Sequence, residues 1–339
     1  MSSFPAGFRI VVADPLPPRM EALFRSLGRA DLFAWPTGDS EEELFHCVRD
    51  AKVLLARRRE ISGEVFSAAP ELRLVHVLGR YPDRVDLKAA RRRDVIVATR
   101  PHGGAMAVAD HTMALLLAVA RKIVAGHQGV VHGDYEGAGK SPEKTSEWSF
   151  AFNWLSFPDV VEINGKTLGI VGLGEIGREV ARRARGFDMK VLYHQRRPLA
   201  LEWEKRLEVQ GASLEALLET SDFVSLHAPH TSETESVLNA DRISRMKPTA
   251  IVVNTARGGL VDEQALVRAL QDGRIAGAGL DVFHFEPLPK NDPLIRLPNV
   301  VLSPHLGGGS SGGQKLFLRQ VLENVARFAR GEQPEGAVE

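Results

Sequence analysis

Short runs of branched apolar residues alternate along this chain with longer stretches whose apolar positions recur at helical spacing. In the first third, Arg9–Ala13, Val53–Ala56, Leu72–Leu78 and Val95–Ala98 read as strands. Arg19–Leu27, Glu41–Val48 and Gly63–Ala68 read as the helices between them. A long helical pattern then runs from near Ala107 to about Ala125. A second alternating series follows, with strands at Thr167–Gly172, Lys190–Tyr193, Phe223–Leu226, Ala250–Asn254, Gly277–Leu280 and Val300–Ser303. A last helix, from about Gly312 to Arg330, closes the chain. Such alternation predicts an α/β protein whose parallel sheets carry helices on both faces. The two series read as two copies of one doubly wound architecture. Between them, Gly126 to Asn164 has no steady period and carries Trp148 and Trp154. A long irregular stretch of that kind is usually functional or interfacial.

Composition narrows the picture. The 339 residues exceed one mid-sized domain, so two are expected. Lys+Arg 43 balance Asp+Glu 43, which argues against a nucleic-acid partner. The basic runs Arg57-Arg58-Arg59 and Arg91-Arg92-Arg93 read as solvated surface. A single cysteine, Cys47, excludes an intrachain disulfide. The first residues lack the basic start and apolar stretch of a signal peptide. The most apolar run, Met113 to Ala120, is far shorter than the ~20 residues of a membrane helix. No membrane association and a cytoplasmic location are expected, and no metal site is called for.

The chemistry begins at Gly172-Leu173-Gly174-Glu175-Ile176-Gly177. These residues follow the strand Thr167–Val171 directly and open a helix over Glu175–Arg185. That order suits a dinucleotide: Gly172 for the tight turn, Gly174 for backbone approach to a pyrophosphate, and Gly177 for helix–strand packing. An NAD site would carry an acid roughly 20 residues further on, for the ribose hydroxyls. Here the strand ending at Tyr193 is followed by His194-Gln195-Arg196-Arg197, with no acid. Guanidiniums fork onto phosphate, so this turn points to the 2′-phosphate of NADP, with NAD possible.

Three residues at later strand ends complete a second constellation. Arg257 closes a strand in Asn254-Thr255-Ala256-Arg257-Gly258-Gly259. Glu286 precedes Pro287, and His305 follows Val300–Ser303 in Ser303-Pro304-His305-Leu306-Gly307. Reduction of a 2-oxo acid needs a cation for the carboxylate, a proton donor for the carbonyl oxygen and a hydride donor. Arg257 and His305 supply the first two. A carboxylate such as Glu286 beside the imidazole favours its charged form, which suits a proton donor.

These motifs, with Val224-Ser225-Leu226-His227-Ala228-Pro229 and Gly279-Leu280-Asp281-Val282-Phe283, resemble the D-isomer-specific 2-hydroxyacid dehydrogenases over nearly the whole chain. Glu286-Pro287-Leu288-Pro289 and the basic turn are most similar to the glyoxylate/hydroxypyruvate reductases among them. The resemblance implies a flavodoxin-like substrate domain, residues 1–105 plus 306–339, and a Rossmann dinucleotide-binding domain, residues 106–305. It implies that Arg257 orients substrate, that Glu286 supports His305, and that His305 moves the proton. Asp281 would bind the nicotinamide amide. His227, Pro229 and Thr231 would line the adenine and ribose side, and Thr255, Ala256, Glu175, Ile176 and Gln195 belong to the same cofactor set. A homodimer built on the cofactor domain is implied too, with the segment around Trp148 and Trp154 at its interface.

The chain departs from the family in one loop. Relatives carry a small-residue x-Val-Gly-x-Asp loop whose backbone holds the substrate carboxylate. Here it reads Gly79-Arg80-Tyr81-Pro82-Asp83, so Arg80 and Tyr81 are expected to make the substrate site bulkier and more basic. Asp110 stands where relatives carry Glu, and Arg57 and His102 also end first-domain strands. Two other readings remain. One is oxidation of a small anion such as formate or phosphite, and a Glu rather than Gln partner for His305 disfavours the formate type. The other is a cofactor-sensing scaffold or corepressor that binds without turnover.

Overall fold

In the computed structural model, residues 4–5, 7–16, 18, 21–22, 24, 32–100, 103–137, 139–308 and 313–338 are described. Contacts divide the chain into two compact units, one of Met1–Ala105 with Ser310–Glu339 and one of Met106–Gly309.

The first unit is built on strands β1 (Ile10–Val12), β2 (Phe33–Ala34), β3 (Val53–Ala56), β4 (Leu74–Val77) and β5 (Ile96–Thr99). All pair in parallel in the order β2-β1-β3-β4-β5, the flavodoxin-like arrangement. Helices α1 (Glu41–Val48), α2 (Gly63–Ala68) and α3 (Leu87–Arg92) connect them. Residues alternate between the two faces: Val11, Leu54 and Val75 enter one apolar cluster, Ile10, Val53 and Leu74 the other. Burial on both faces explains why these strands are apolar throughout rather than alternating in polarity. The tail closes the open edge, with Ala337 bridging antiparallel to Ala98.

The second unit begins within α4 (Gly103–Ala120), which is followed by α5 (Ile123–His132). Its sheet holds β6 (Thr167–Val171), β7 (Lys190–His194), β8 (Gln210–Gly211), β9 (Phe223–Leu226), β10 (Ile251–Asn254), β11 (Gly277–Leu280) and β12 (Val300–Leu302). The order is β12-β11-β10-β9-β6-β7-β8, all parallel. Strand order reverses at β6/β9, the crevice where doubly wound sheets bind ligands. The crossover helices are α6 (Glu175–Arg185), α7 (Leu201–Leu207), α8 (Leu214–Thr220), α9 (Ala240–Arg245) and α10 (Glu263–Gln271). Helix α11 (Gly313–Ala329) returns to the first unit.

The expected α/β architecture of two parallel sheets is thus present, and several elements coincide with the pattern, among them Val53–Ala56, Glu175–Arg185 and Gly277–Leu280. The long helix is corrected. It breaks at Lys122, which adopts a left-handed φ of 54°, and the chain resumes as α5 after a bend of 58°. The irregular stretch therefore starts after His132 rather than at Gly126. The helix expected at Arg19–Leu27 falls largely outside the described residues, as does His102. Among the described residues, no single helix is long and apolar enough to cross a membrane.

A polar pair, His76 and Asn324, lies deep in the first unit. His76 of β4 is fully buried, where its Nε2 accepts from Asn324 Nδ2 at 3.1 Å and its Nδ1 donates to the Val77 carbonyl at 3.2 Å. Burial pushes its pKa down from 6.5 to about 4, with the Val77 bond opposing only in part. The folded chain keeps this ring neutral where the unfolded chain protonates it. The stability it contributes is complete above about pH 6.5 and is lost as pH falls towards about 4, a change of about 3 kcal/mol. His76→Gln retains an acceptor for Asn324 and does not titrate. Urea midpoints measured at neutral pH and near the acid end of this window should drop less for the variant than for the native chain. Equal drops would contradict the assignment.

Candidate active site

The glycine turn after β6 is shaped for a ligand. Gly172 has φ +96°, and a side chain there would place its Cβ 2.6 Å from the Ala228 nitrogen and 2.7 Å from the His227 carbonyl carbon. Only glycine tolerates both that φ and that approach. Above Gly174 the space is open, with no atom within 4 Å of where a Cβ would stand. Gly174 caps α6 without a side-chain hydrogen bond, so the first turn, Glu175-Ile176-Gly177, presents its N–H groups to an anion. This cradle fits the pyrophosphate of a dinucleotide. The Gly172 N–H bonds the His194 carbonyl at 2.8 Å, which sets the basic turn Gln195-Arg196-Arg197 beside the fingerprint. Both guanidiniums there are exposed. Arg196 pairs with Glu233 at 3.1 Å across this surface, an acid brought in by the loop after β9. Gln195 Nε2 donates to the Arg197 carbonyl at 2.6 Å and stiffens the turn.

Pro229 and Thr231 are exposed on the loop after β9, beside the switch point. The His227 ring is different. Its Nε2 lies 2.8 Å from Ser225 Oγ, its Nδ1 is buried without a partner among the described residues, and burial pushes its pKa down to about 3. Burial keeps the ring neutral, and the His227 backbone borders the fingerprint. Thr255 is also buried, with its Oγ1 2.8 Å from Thr112 Oγ1, so its hydroxyl is engaged inside the fold and Ala256 is the half-buried neighbour.

Arg257, Glu286 and His305 come together at the carboxyl ends of β10, β11 and β12. His305 Nδ1 lies 2.6 Å from Glu286 Oε2, and Glu286 Oε1 accepts from the Phe283 N–H at 3.1 Å. Burial works against ionising Glu286, but the bonds from His305 and Phe283 and the Arg257 charge outweigh it and hold the carboxyl below the usual range. The carboxylate fixes the ring by Nδ1. Arg257 is exposed, with Nη1 donating to the Ala256 carbonyl at 2.5 Å and Asn254 Nδ2 donating to the Arg257 carbonyl at 2.9 Å. The two loops touch through backbone: a Cβ on Gly258 would sit 2.0 Å from the Phe283 carbonyl. Beside the pair lies a cavity of about 480 Å³ walled by Phe283, Pro287, Leu288, Leu302 and Pro304.

Asp281, to which the resemblance gives the nicotinamide amide, is 1% exposed, and its carboxylate is bonded to the His305 turn. Oδ1 accepts from Ser303 Oγ at 2.6 Å, Leu306 N at 2.8 Å and His111 Nε2 at 3.1 Å, and Oδ2 accepts from Gly307 N at 2.8 Å. His305 itself has φ +54°, a left-handed conformation costly for a residue with a Cβ, and its N–H bonds the Asp281 carbonyl at 2.9 Å. Nothing in sequence spacing links the side chains of His111 and Ser303 to Asp281, or that of Thr112 to Thr255.

Arg80 and Tyr81 belong to the other unit. They are half-buried in the loop that follows β4, at the carboxyl end of that sheet; the preceding Gly79 is buried, and its carbonyl accepts from the Arg100 N–H at 2.9 Å.

The family model for the NAD binding domain of D-isomer specific 2-hydroxyacid dehydrogenases matches residues 113–307. The chain is 40% identical over 333 residues to a glyoxylate reductase of Korarchaeum cryptofilum, covering 97% of this chain and 95% of that protein. It is 42% identical over 294 residues to a glyoxylate reductase of Pyrococcus furiosus, covering 86% and 84%. Among solved structures, an NADPH-dependent glyoxylate/hydroxypyruvate reductase from Sinorhizobium meliloti, in complex with NADP and malonate, is similar with TM-score 0.55 and 28% identity, covering 98% and 97%. A dinucleotide cradle at the switch point, a His–Glu pair and an arginine at neighbouring strand ends, and likeness of this extent lead to one conclusion: the chain belongs to the D-isomer-specific 2-hydroxyacid dehydrogenase family and is an NAD(P)-dependent oxidoreductase of small 2-oxo acids.

Proposed function

We propose that this enzyme reduces glyoxylate to the achiral 2-hydroxy acid glycolate, or hydroxypyruvate to its D-2-hydroxy acid, with NADPH preferred and NADH usable. The observation that carries the reading is the 2.6 Å His305–Glu286 pair beside the exposed Arg257. Gly172, Gly174 and the N–H groups of Glu175, Ile176 and Gly177 hold the pyrophosphate. Arg196 and Arg197 receive the 2′-phosphate, and Pro229 and Thr231 border the adenine ribose. When bound, the nicotinamide supplies the hydride. Residues 106–309 act as the cofactor domain and the remainder as the substrate domain.

Arg257 binds the substrate carboxylate, which fixes the orientation of the 2-oxo carbon and spares the reaction the entropy of that orientation. His305 Nε2–H donates to the 2-oxo oxygen and passes its proton as the carbonyl becomes an alcohol. Glu286 stays ionised throughout, which stabilises the imidazolium before transfer and fixes the ring through Nδ1 afterwards. His305→Ala should lose about 10²–10⁴-fold in kcat, the usual contribution of a general acid. Arg257→Ala should lose both kcat and affinity for the 2-oxo acid. Turnover of His305→Ala close to native would overturn the proton-donor role.

The basic turn generates a second expectation. A surface pair such as Arg196–Glu233, with both partners more than two-thirds exposed, contributes little by itself and opens readily to a stronger acceptor. Replacing Arg196 and Arg197 together by alanine should raise KM for NADPH by about 10-fold or more and leave NADH nearly unchanged, since charge-assisted bonds to a phosphate are strong ones. Native kcat/KM equal or higher with NADH would reject the preference.

The second unit also exposes Trp148 at 92%, Phe152 at 85%, Val131 at 66% and Phe150 at 55%. Apolar side chains this open, aromatics above all, are favoured interface anchors. We read the segment as the surface of a homodimer. Trp154 differs from Trp148: it is half-buried and meets Tyr135 edge-on with ring centres 5.7 Å apart, which ties the segment to the turn that follows α5. Sedimentation at micromolar concentration should give a dimer for the native chain and a monomer for Trp148→Asp with Phe152→Asp. A native monomer would refute it.

A further inference from the structure

We infer that His111 and Thr112, consecutive residues of α4, are positioning residues that separately anchor the two loops carrying His305 and Arg257. The inference rests on the reading of those two side chains as proton donor and carboxylate clamp.

Helix α4 lies flush on β11 because two of the strand's residues have no side chain. A Cβ on Gly277 would sit 2.8 Å from Val119 Cγ1, and one on Gly279 would sit 3.0 Å from Leu115 Cβ. Leu115 and Val119 are one helical turn apart on the same face. Two strand residues on one side advance roughly 6.6 Å, and four helical residues roughly 6 Å, so helix and strand stay in step. Continuing the row past Gly279 leads to Asp281, and continuing it back from Leu115 leads to His111. His111 Nε2 reaches Asp281 Oδ1 at 3.1 Å and Ser303 Oγ at 2.8 Å.

Asp281 is the centre of the His305 turn. Its side chain receives Ser303, Leu306 and Gly307, and its carbonyl receives the His305 N–H. Those bonds hold His305 at φ +54°. A strained turn persists only when its surroundings over-determine it. His111 adds the contact that ties this turn to a helix rather than to another loop.

Thr112 does the corresponding work for Arg257. It is fully buried and its Oγ1 donates to the Val108 carbonyl at 2.8 Å, so the contact of 2.8 Å to Thr255 Oγ1 takes its proton from Thr255. Thr255 leads into the turn in which Asn254 accepts from the Ala256 N–H and donates to the Arg257 carbonyl. One rigid helix thereby sets where the clamp and the proton donor stand relative to each other. A displacement of about 1 Å at a reacting group can cost about 100-fold.

The test uses the full chain with NADPH and glyoxylate. Thr112→Val removes the hydroxyl at nearly constant shape and should raise KM for glyoxylate about 10-fold with a smaller change in kcat. Thr112→Ser should restore it. His111→Leu should lower kcat about 10–100-fold with KM within about two-fold, and His111→Gln, which keeps a donor, should recover part of the loss. Folded fraction is followed by NADPH-binding stoichiometry. Kinetic constants near native in both Leu and Val variants overturn the inference, and so do losses that simply track folded fraction. On a His305→Ala background, His111→Leu should add nothing further, because it acts through that ring. An additive loss overturns the inference alone. Near-native turnover of His305→Ala overturns the proton-donor reading itself, and the His111 half of the inference falls with it.

Discussion

A carboxylate removed from water must find hydrogen-bond donors for both oxygens or it destabilises the fold by several kcal/mol. Asp281 is in that position. It finds donors in His111, Ser303, Leu306 and Gly307, and in accepting them it dictates the path of the chain from β12 into the His305 turn. The left-handed backbone of His305 is tolerable because these bonds fix it from both sides. The ring is then aimed where Glu286 can take Nδ1. Geometry at the reacting end of the molecule thus depends on a residue whose own side chain faces inward.

The same economy of space governs the cofactor side. Parallel strands end together, so the loops after β6, β9, β10, β11 and β12 share one edge of the sheet. Crowding at that edge is relieved by glycines: Gly172 against the backbone of residues 227–228, and Gly258 against Phe283. Each brings two loops within backbone contact. Polar side chains in this crowded layer bond inward, which accounts for the neutral His227 on Ser225 and the Thr112–Thr255 pair. The groups turned outward are the N–H groups at the start of α6, the guanidiniums at the end of β7, and Arg257. Outward donors and cations of this kind suit an anionic cofactor and an anionic substrate.

The segment after α5 follows a different logic. Its described residues between 133 and 166 form neither helix nor strand, yet they are not free of structure. Tyr135 meets Trp154, Leu155 packs at Gly129, and Asn153 bonds both backbone groups of Phe157. These local contacts leave Trp148, Phe150 and Phe152 outside, with the two phenylalanines edge-on at 4.9 Å.

Much of this protein was legible in its sequence, because the features concerned are local. Two-sided burial makes parallel strands uniformly apolar, and the turn–helix geometry of a dinucleotide site demands glycines at fixed spacing, so Val53–Ala56, Phe223–Leu226, Gly172 and the helix Glu175–Arg185 could be read directly. The short strands Phe33–Ala34 and Gln210–Gly211 carry too few residues for a period, and the break at Lys122 has no proline or glycine to announce it. Arg257, Glu286 and His305 could be named from their positions at strand ends, since β-sheet topology carries strand ends to one edge. Which way each neighbouring side chain turns was decided only by tertiary structure. The pairing of Arg196 with Glu233 spans 37 residues and that of His111 with Asp281 spans 170, and no periodicity encodes either. Asp281, Thr255 and His227 carry the residue types of a ligand site, yet burial obliges each to hydrogen-bond within the fold or stay uncharged, a constraint that exists only once the chain has packed.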